Sequence, residues 1–317
     1  MHHDSKRLIS ASEAVKENLL FQVQILFAGM FCHFLTFLVF FNFLGCMAGT
    51  RSDTEQSITR VDGDATIQFP PSGTEMVFIP AGEFEMGSRD GAPDEQPVHT
   101  VRLTEFYIDK YEVTVGQYRK FVHETGAAFP DWEEVARYAH TDQHPMVNVS
   151  WYDAVAYAKW AGKTLPTEAQ WEYAARGGLE GRSYPWGNQA LDVTKANYED
   201  SSAGKTVPVG SYAPNGYGLH DMVGNVWEWC IDEYLADFYE TSPGNNPVAG
   251  PPISLLDDGF RKVATRRVVR GGGWDSAARR LRVAYRDGNG PRGKVDSVGF
   301  RCVRPIKSTV KQKTPRN

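Results

Sequence analysis

Cysteine is scarce: the 317 residues include four, and two of these, Cys32 and Cys46, fall in an apolar stretch near the N-terminus. The rest of the chain holds only Cys230 and Cys302. A small secreted scaffold stapled by disulfides needs more, so that class is excluded. The two remaining cysteines are left as one bridge or as two separate buried thiols. Excess positive charge is also missing. A formal net charge of -5 gives no electrostatic footing for nucleic acid, and no such partner is expected. His99, His123, His140, His144 and His220 are scattered, with no two at metal-ligand spacing on a predicted helix. No internal repeat is present, which removes solenoid and propeller architectures.

Long apolar runs occur once. From Leu19 to Thr50 there is no Asp, Glu, Lys or Arg, and the stretch from Ile25 to Leu44 is long enough to span a bilayer. It ends in Phe43-Leu44-Gly45-Cys46, which resembles a lipoprotein processing box with Cys46 as the lipidated residue. Residues 1–46 are therefore read as a lipoprotein signal or as an uncleaved membrane anchor. Either places the globular part outside the cytoplasm, periplasmic or at the cell surface, with the membrane as a partner. Residues 47–74 are rich in Ser, Thr, Asp, Gly and Pro and read as a tether. Residues 75–306 form the globular domain, and the basic tail 307–317 reads as a disordered end.

Within the domain, alternation predicts a strand at Met76 to Ile79 and a second one running through Val101, Leu103 and Phe106 to Ile108. Thr114 is placed to cap a helix running to Thr125 and stopped by Gly126. Ser150 caps a second over Trp151 to Ala161, closed by Gly162. Thr167 and Gln170 have capping-box spacing for a third, Glu168 to Arg176, ended by Gly177. Beyond Gly181 regular signals fade into Gly, Pro and aromatic punctuation, with short strands at Arg267 to Arg270 and Val298 to Arg304.

The most specific stretch is GLHDMVGNVWEWC, 218–230. A turn at Gly224-Asn225 can fold the backbone so that Asp221, Glu228 and the intervening carbonyls face one point. Calcium takes about six to eight oxygens of these kinds, and positions 221, 224, 226 and 228 can supply some of them. The other reading is a turn with salt-bridged acids and two core tryptophans. In an extended segment Trp227 and Trp229 share one face and Glu228 takes the other.

This segment resembles the GNxWEW signature of the sulfatase-modifying-factor family. Further stretches similar to that family recur in order: EMVFIPAGEFEMGS (75–88), FYIDKYEVTVGQYRKFV (106–122), the segment from His144 to Gly178, YPWGN (184–188), VVRGGGW (268–274) and VGFRCVR (298–304). The resemblance implies an irregular, loop-rich α+β fold, C-type-lectin-like, with short helices and short strands. It also implies structural Ca2+ held by Asp221, Gly224, Val226 and Glu228, with Glu112 as a further ligand. A second calcium is implied at Asn197 and Tyr198, with Asp200 as its candidate acid.

Family members that oxidise a substrate cysteine to formylglycine use a cysteine pair just after the arginine-glycine-glycine motif. Two soft thiolates suit Cu(I). Here Ser276 and Leu281 stand at those positions, and no cysteine occurs between Ile231 and Arg301. No catalytic residue is assigned, copper is not expected, and iron, which some members use, is left open. Cys302 lies where the family has a disulfide, and Ala158 is its missing partner. The arginines 266, 267, 270, 279, 280, 282 and 286 read either as a salt-bridged face or as a capture site for an acidic ligand. In the second reading Trp274, Arg279, Arg280, Tyr285 and Arg286 form a groove for a protein or peptide partner. The resulting expectation is a binding or structural lipoprotein on a degenerate cleft; the alternative is a formylglycine-generating or other oxidase.

Overall fold

The structure is a computed structural model describing residues 59–60, 66–69 and 71–306, except 129, 202 and 253–257. The apolar leader, Cys46 and the basic tail lie outside the described residues.

Strands come first: β1 (Thr59–Arg60), β2 (Thr66–Phe69), β3 (Thr74–Ile79), β4 (Gly82–Met86), β5 (His99–Leu103) and β6 (Phe106–Asp109). Alternation shapes them. In β4, Phe84 and Met86 are buried while Glu83 and Glu85 are exposed, as the two-residue period of a strand requires. β3 pairs antiparallel with β2 on one side and β6 on the other, with Val77 opposite Ile108. β1 and β2 fall inside the stretch read as a tether. A strand of two or four residues is too short to show a period, and it is pairing with β3 that defines it, so the ordered domain starts earlier than residue 75.

Four helices come next: α1 (Val115–Thr125), α2 (Trp132–Tyr138), α3 (Trp151–Trp160) and α4 (Glu168–Arg176). Thr114, Ser150 and Thr167 each close a capping box, as the sequence predicts. Gly126 and Gly177 end α1 and α4 at φ 65° and 57°, a conformation that favours glycine. α2, which the sequence pattern does not announce, is capped by Asp131, whose carboxylate accepts from the Glu133 and Glu134 amides.

The chain then returns to strands: β7 (Trp227–Glu233), the short α5 (Phe238–Thr241), β8 (Arg267–Arg270), β9 (Arg286–Asn289), β10 (Val298–Gly299) and β11 (Val303–Pro305). One sheet runs β10-β7-β8-β9, a second β1-β2-β3-β6-β11, and β4 pairs with β5 alone. The single strand expected from 298 to 304 is therefore two. β10 lies parallel to β7, and after Phe300-Arg301-Cys302 the chain crosses to pair with β6.

β7 separates two apolar cores. Trp227 and Trp229 join Trp151, Tyr157 and Phe300 on one side. Cys230 joins Trp171, Phe84 and Leu281 on the other. Cys302 and Ala158 share the first core. Cys230 and Cys302 are thus two free, buried thiols, which settles the alternative left open by the sequence. Burial pushes both well above the usual thiol range, so neither is a thiolate at neutral pH.

Candidate functional site

The turn leading into β7 is built from residues in the left-handed region: Asp221 at φ 55°, Gly224 at 82° and Asn225 at 60°. Asp and Asn tolerate that conformation through local hydrogen bonding. Gly224 has a further reason, since a Cβ there would sit 2.6 Å from the Asn197 carbonyl oxygen. The coil so formed brings Asp221 beside Glu112, a few residues beyond β6.

Three buried carboxyl groups surround the Arg301 guanidinium, and they are not equivalent. Glu228 is fully engaged: Arg301 donates from Nε to Oε1 at 2.9 Å and Oε2 at 2.8 Å and from Nη2 to Oε1 at 2.7 Å, while the Trp171 indole donates to Oε2 at 2.7 Å. β7 alternation explains this, because it turns Glu228 away from Trp227 and Trp229 toward α4. Its side chain is spent on an ion pair rather than left open as a ligand. Asp221 accepts the Gly210 amide on Oδ2 at 2.6 Å, and its buried Oδ1 has no donor apart from the neighbouring Glu112 carboxyl when that is protonated. Glu112 accepts from Asn225 Nδ2 at 2.9 Å, but its Oε2 is buried without a hydrogen bond, 4.0 Å from the Arg301 guanidinium. Burial, and then the charge of Asp221, hold the Glu112 carboxyl well above the ordinary range. Burial raises Asp221 to about 6.

With all three acids ionised, one guanidinium leaves two negative charges uncompensated. Two orphaned, buried oxygens are the setting that a hard divalent cation satisfies. The residues fit calcium in that respect. Among the described residues no three His, Cys, Asp or Glu side chains stand together as a metal cluster. Glu112 and Asp221 would therefore need main-chain oxygens, of the kind the resemblance assigns to Gly224 and Val226.

The 196–210 loop is different. Asn197 Oδ1 and the Tyr198 carbonyl both face the Ser201 hydroxyl, at 2.6 and 2.7 Å, and Asp200 is exposed. Sequence reasoning names Asn225 only as part of the Gly-Asn turn and does not single out Ser201 or Arg301. Ser201 acts on Asn197 and Tyr198 only four and three residues away, whereas Arg301 acts through a contact that no local pattern carries.

Of the arginine run, Arg267, Arg270 and Arg286 are buried, Arg280 and Arg282 half-buried, and Arg266 and Arg279 exposed. Arg270 donates to Glu168 and Glu172 at 2.9 and 2.5 Å, and Arg286 grips Glu168 at 2.7 and 2.8 Å. Arg282 closes on buried Glu95 at 2.6 and 2.5 Å, and Arg267 lies over the Trp151 ring. Arg286 is thus a buried strut and not a groove residue, because β9 turns it toward α4. Trp274 stacks on Tyr138 and donates to the Asp296 carbonyl. Tyr285 is half-buried near Trp227, Arg279 is exposed and Arg280 half-buried. A cleft of about 210 Å³ remains beside Trp227, lined among others by Asp275, Arg280, Asp287, Asn289 and Ser297. Arg280 is the one predicted groove residue lining it.

Ser276 and Leu281 are both buried. The Ser276 hydroxyl accepts the Gly273 amide at 3.0 Å, closing a turn. Leu281 packs so tightly on Gly272 that a Cβ there would come 2.9 Å from Leu281 Cδ1.

The sequence matches the model of the sulfatase-modifying factor enzyme 1-like domain over residues 64–306. It is 41% identical over 255 residues to the serine/threonine-protein kinase Pkn1 of Chlamydia trachomatis, covering 75% of this chain and 39% of that protein. The chain thus spans well under half the length of that relative. It is 38% identical over 294 residues to the formylglycine-generating enzyme of Streptomyces coelicolor, covering 74% of this chain and 90% of that one. Among solved structures, PvdO from Pseudomonas aeruginosa superposes with a TM-score of 0.64 at 29% identity, over 76% of this chain and 98% of that one. The chain belongs to the sulfatase-modifying factor enzyme 1-like domain family.

Proposed function

We propose that this family member is an exported, membrane-tethered binding domain, stiffened by calcium, that holds a protein or peptide partner in the cleft beside Trp227. It does not carry out the copper-dependent oxidation of cysteine to formylglycine. One observation carries the reading: at the positions of the family's copper-binding cysteines stand a turn-closing serine and a core leucine. A hydroxyl is a poor ligand for Cu(I) and an isobutyl group is none. Cys230 and Cys302 do not substitute, being protonated thiols in separate cores.

The cleft suits recognition. It joins an aromatic wall with two carboxylates, a guanidinium and small polar groups, which together match the mixed chemistry of an extended peptide. Calcium at Glu112 and Asp221 would neutralise buried charge and hold the turn that positions Trp227. Tethering rests on the apolar leader and Cys46. Mass spectrometry of the membrane-extracted chain is expected to find an acylated Cys46 at its N-terminus.

The identity to a formylglycine-generating enzyme supports a second reading, an oxidase that works without the thiolates or with iron. The deciding experiment supplies the full chain with Cu(I), or separately Fe(II), and a cysteine-containing peptide of the sulfatase type. Binding without oxygen uptake or aldehyde formation supports the first reading. Metal-dependent aldehyde formation establishes the second.

A further inference from the structure

The calcium implied at Asn197 and Tyr198 does not fit the residues found there. We propose that this chain holds one structural calcium, at Glu112 and Asp221, and that the Ser201 hydroxyl takes the place of the second. The first half rests on the calcium-stiffened reading of the domain; the second stands on separate contacts.

Every polar atom of the Asn197 side chain is occupied. Its Oδ1 accepts from Ser201 Oγ, and its Nδ2 donates to the Lys205 carbonyl at 3.0 Å and to Asn225 Oδ1 at 3.3 Å. Its main-chain oxygen accepts the Asn225 amide at 2.8 Å. The Tyr198 carbonyl is shared with the same Ser201 hydroxyl, which also lies 3.3 Å from the Tyr198 amide.

A serine hydroxyl has one proton to donate and two lone pairs. Here the hydroxyl oxygen lies 2.6 and 2.7 Å from two oxygens that a calcium would otherwise draw together, and its one proton serves both. The O–H dipole therefore supplies positive charge where a cation would. Nor is there an acid to complete a shell: Glu199 and Asp200 are exposed, and Asp192 is turned to Thr194, whose amide and hydroxyl it accepts at 2.8 and 2.5 Å. At Glu112 and Asp221 the opposite holds, with two buried oxygens that lack a donor once both acids are ionised.

The staple also reaches the first site. Asn197 orients Asn225, and Asn225 donates to Glu112, so Ser201, Asn197, Asn225 and Glu112 form one chain of hydrogen bonds. Ser201 is a positioning residue in this arrangement and touches no ligand.

The test is calcium stoichiometry, read by equilibrium dialysis of CaCl2 against the detergent-extracted full chain. Wild type is expected to bind one calcium per chain. Ser201→Asp replaces the donor with a carboxylate facing two acceptors, a cluster that only a cation relieves, and is expected to bind one more. Ser201→Ala is expected to keep the wild-type number but to speed hydrogen exchange of the Asn225 amide by about tenfold or more, because its acceptor residue loses its anchor. Two calcium ions in wild type overturn the proposal, as does a Ser201→Asp chain that gains none or a Ser201→Ala chain with unchanged exchange. Zero in wild type defeats the reading of Glu112 and Asp221 instead, and the Ser201 staple then predicts one in Ser201→Asp.

Discussion

Arg301 neutralises Glu228, lies 4.0 Å from Glu112 and donates to the His220 carbonyl at 2.9 Å, with its side chain fully buried. Removing one partner of a buried ion pair leaves the other charge uncompensated, at a cost of about 3–5 kcal/mol. Arg301→Ala is therefore expected to lower unfolding free energy by that order, measured in urea, while Arg301→Met combined with Glu228→Gln loses much less. Asp232 offers a pH test. Burial and then the charge of Glu168 raise its carboxyl to about 7, while it accepts the Glu168 and Ala249 amides. An acid with a folded-state value above its unfolded one binds a proton more readily when folded. Its contribution is full below the unfolded value of about 4 and is lost as pH rises through about 7. The urea midpoint is expected to fall across that window, and Asp232→Asn is expected to flatten the slope; an unchanged slope in the variant would assign it to other groups.

At the scale of elements, the helices were legible wherever a cap was written next to an apolar face. Thr114, Ser150 and Thr167 name the starts of three helices because a side chain three residues on closes each box. Ser150→Ala removes a hydroxyl that both donates to Asp153 and accepts its amide, and is expected to cost about 1 kcal/mol. Thermal melts of the variant check this; no loss would mean that packing alone fixes α3. What could not be read were elements defined by distant partners. β2 exists through β3, and the 298–304 segment divides because β10 and β11 pair with different sheets. The site divides in the same way. Asp221 and Glu112 were reachable through motif resemblance, whereas Arg301 finds Glu228 across 73 residues and no spacing announces it. The arginine run mixes both readings given for it, since Arg270, Arg282 and Arg286 pair with Glu168, Glu172 and Glu95 while Arg280 lines the cleft, and no sequence spacing separates the two groups.

For the whole molecule, the two cores meet at β7, and the turn before it sets the buried Asp221 carboxyl beside Glu112. On the proposed reading, calcium bound there links charge neutralisation to global stability. Chelation is expected to lower the melting temperature by several degrees, and calcium at a hundred times its dissociation constant to restore about 2.7 kcal/mol. Glu112→Gln removes one of the two open carboxylates and is expected to abolish that calcium response. A calcium shift that survives the substitution would place the ion elsewhere. The fold was readable because its motifs recur in order along the chain; the activity is a separate question, which rests on a few positions and not on the fold.

The most direct measurement is Cu(I) binding by the purified full chain in competition with a chromogenic chelator, together with mass spectrometry of a cysteine peptide incubated in air. A chain that fails to compete for copper, and leaves the cysteine unconverted, is what Ser276 and Leu281 predict. Tight copper binding with formylglycine in the peptide would contradict the account.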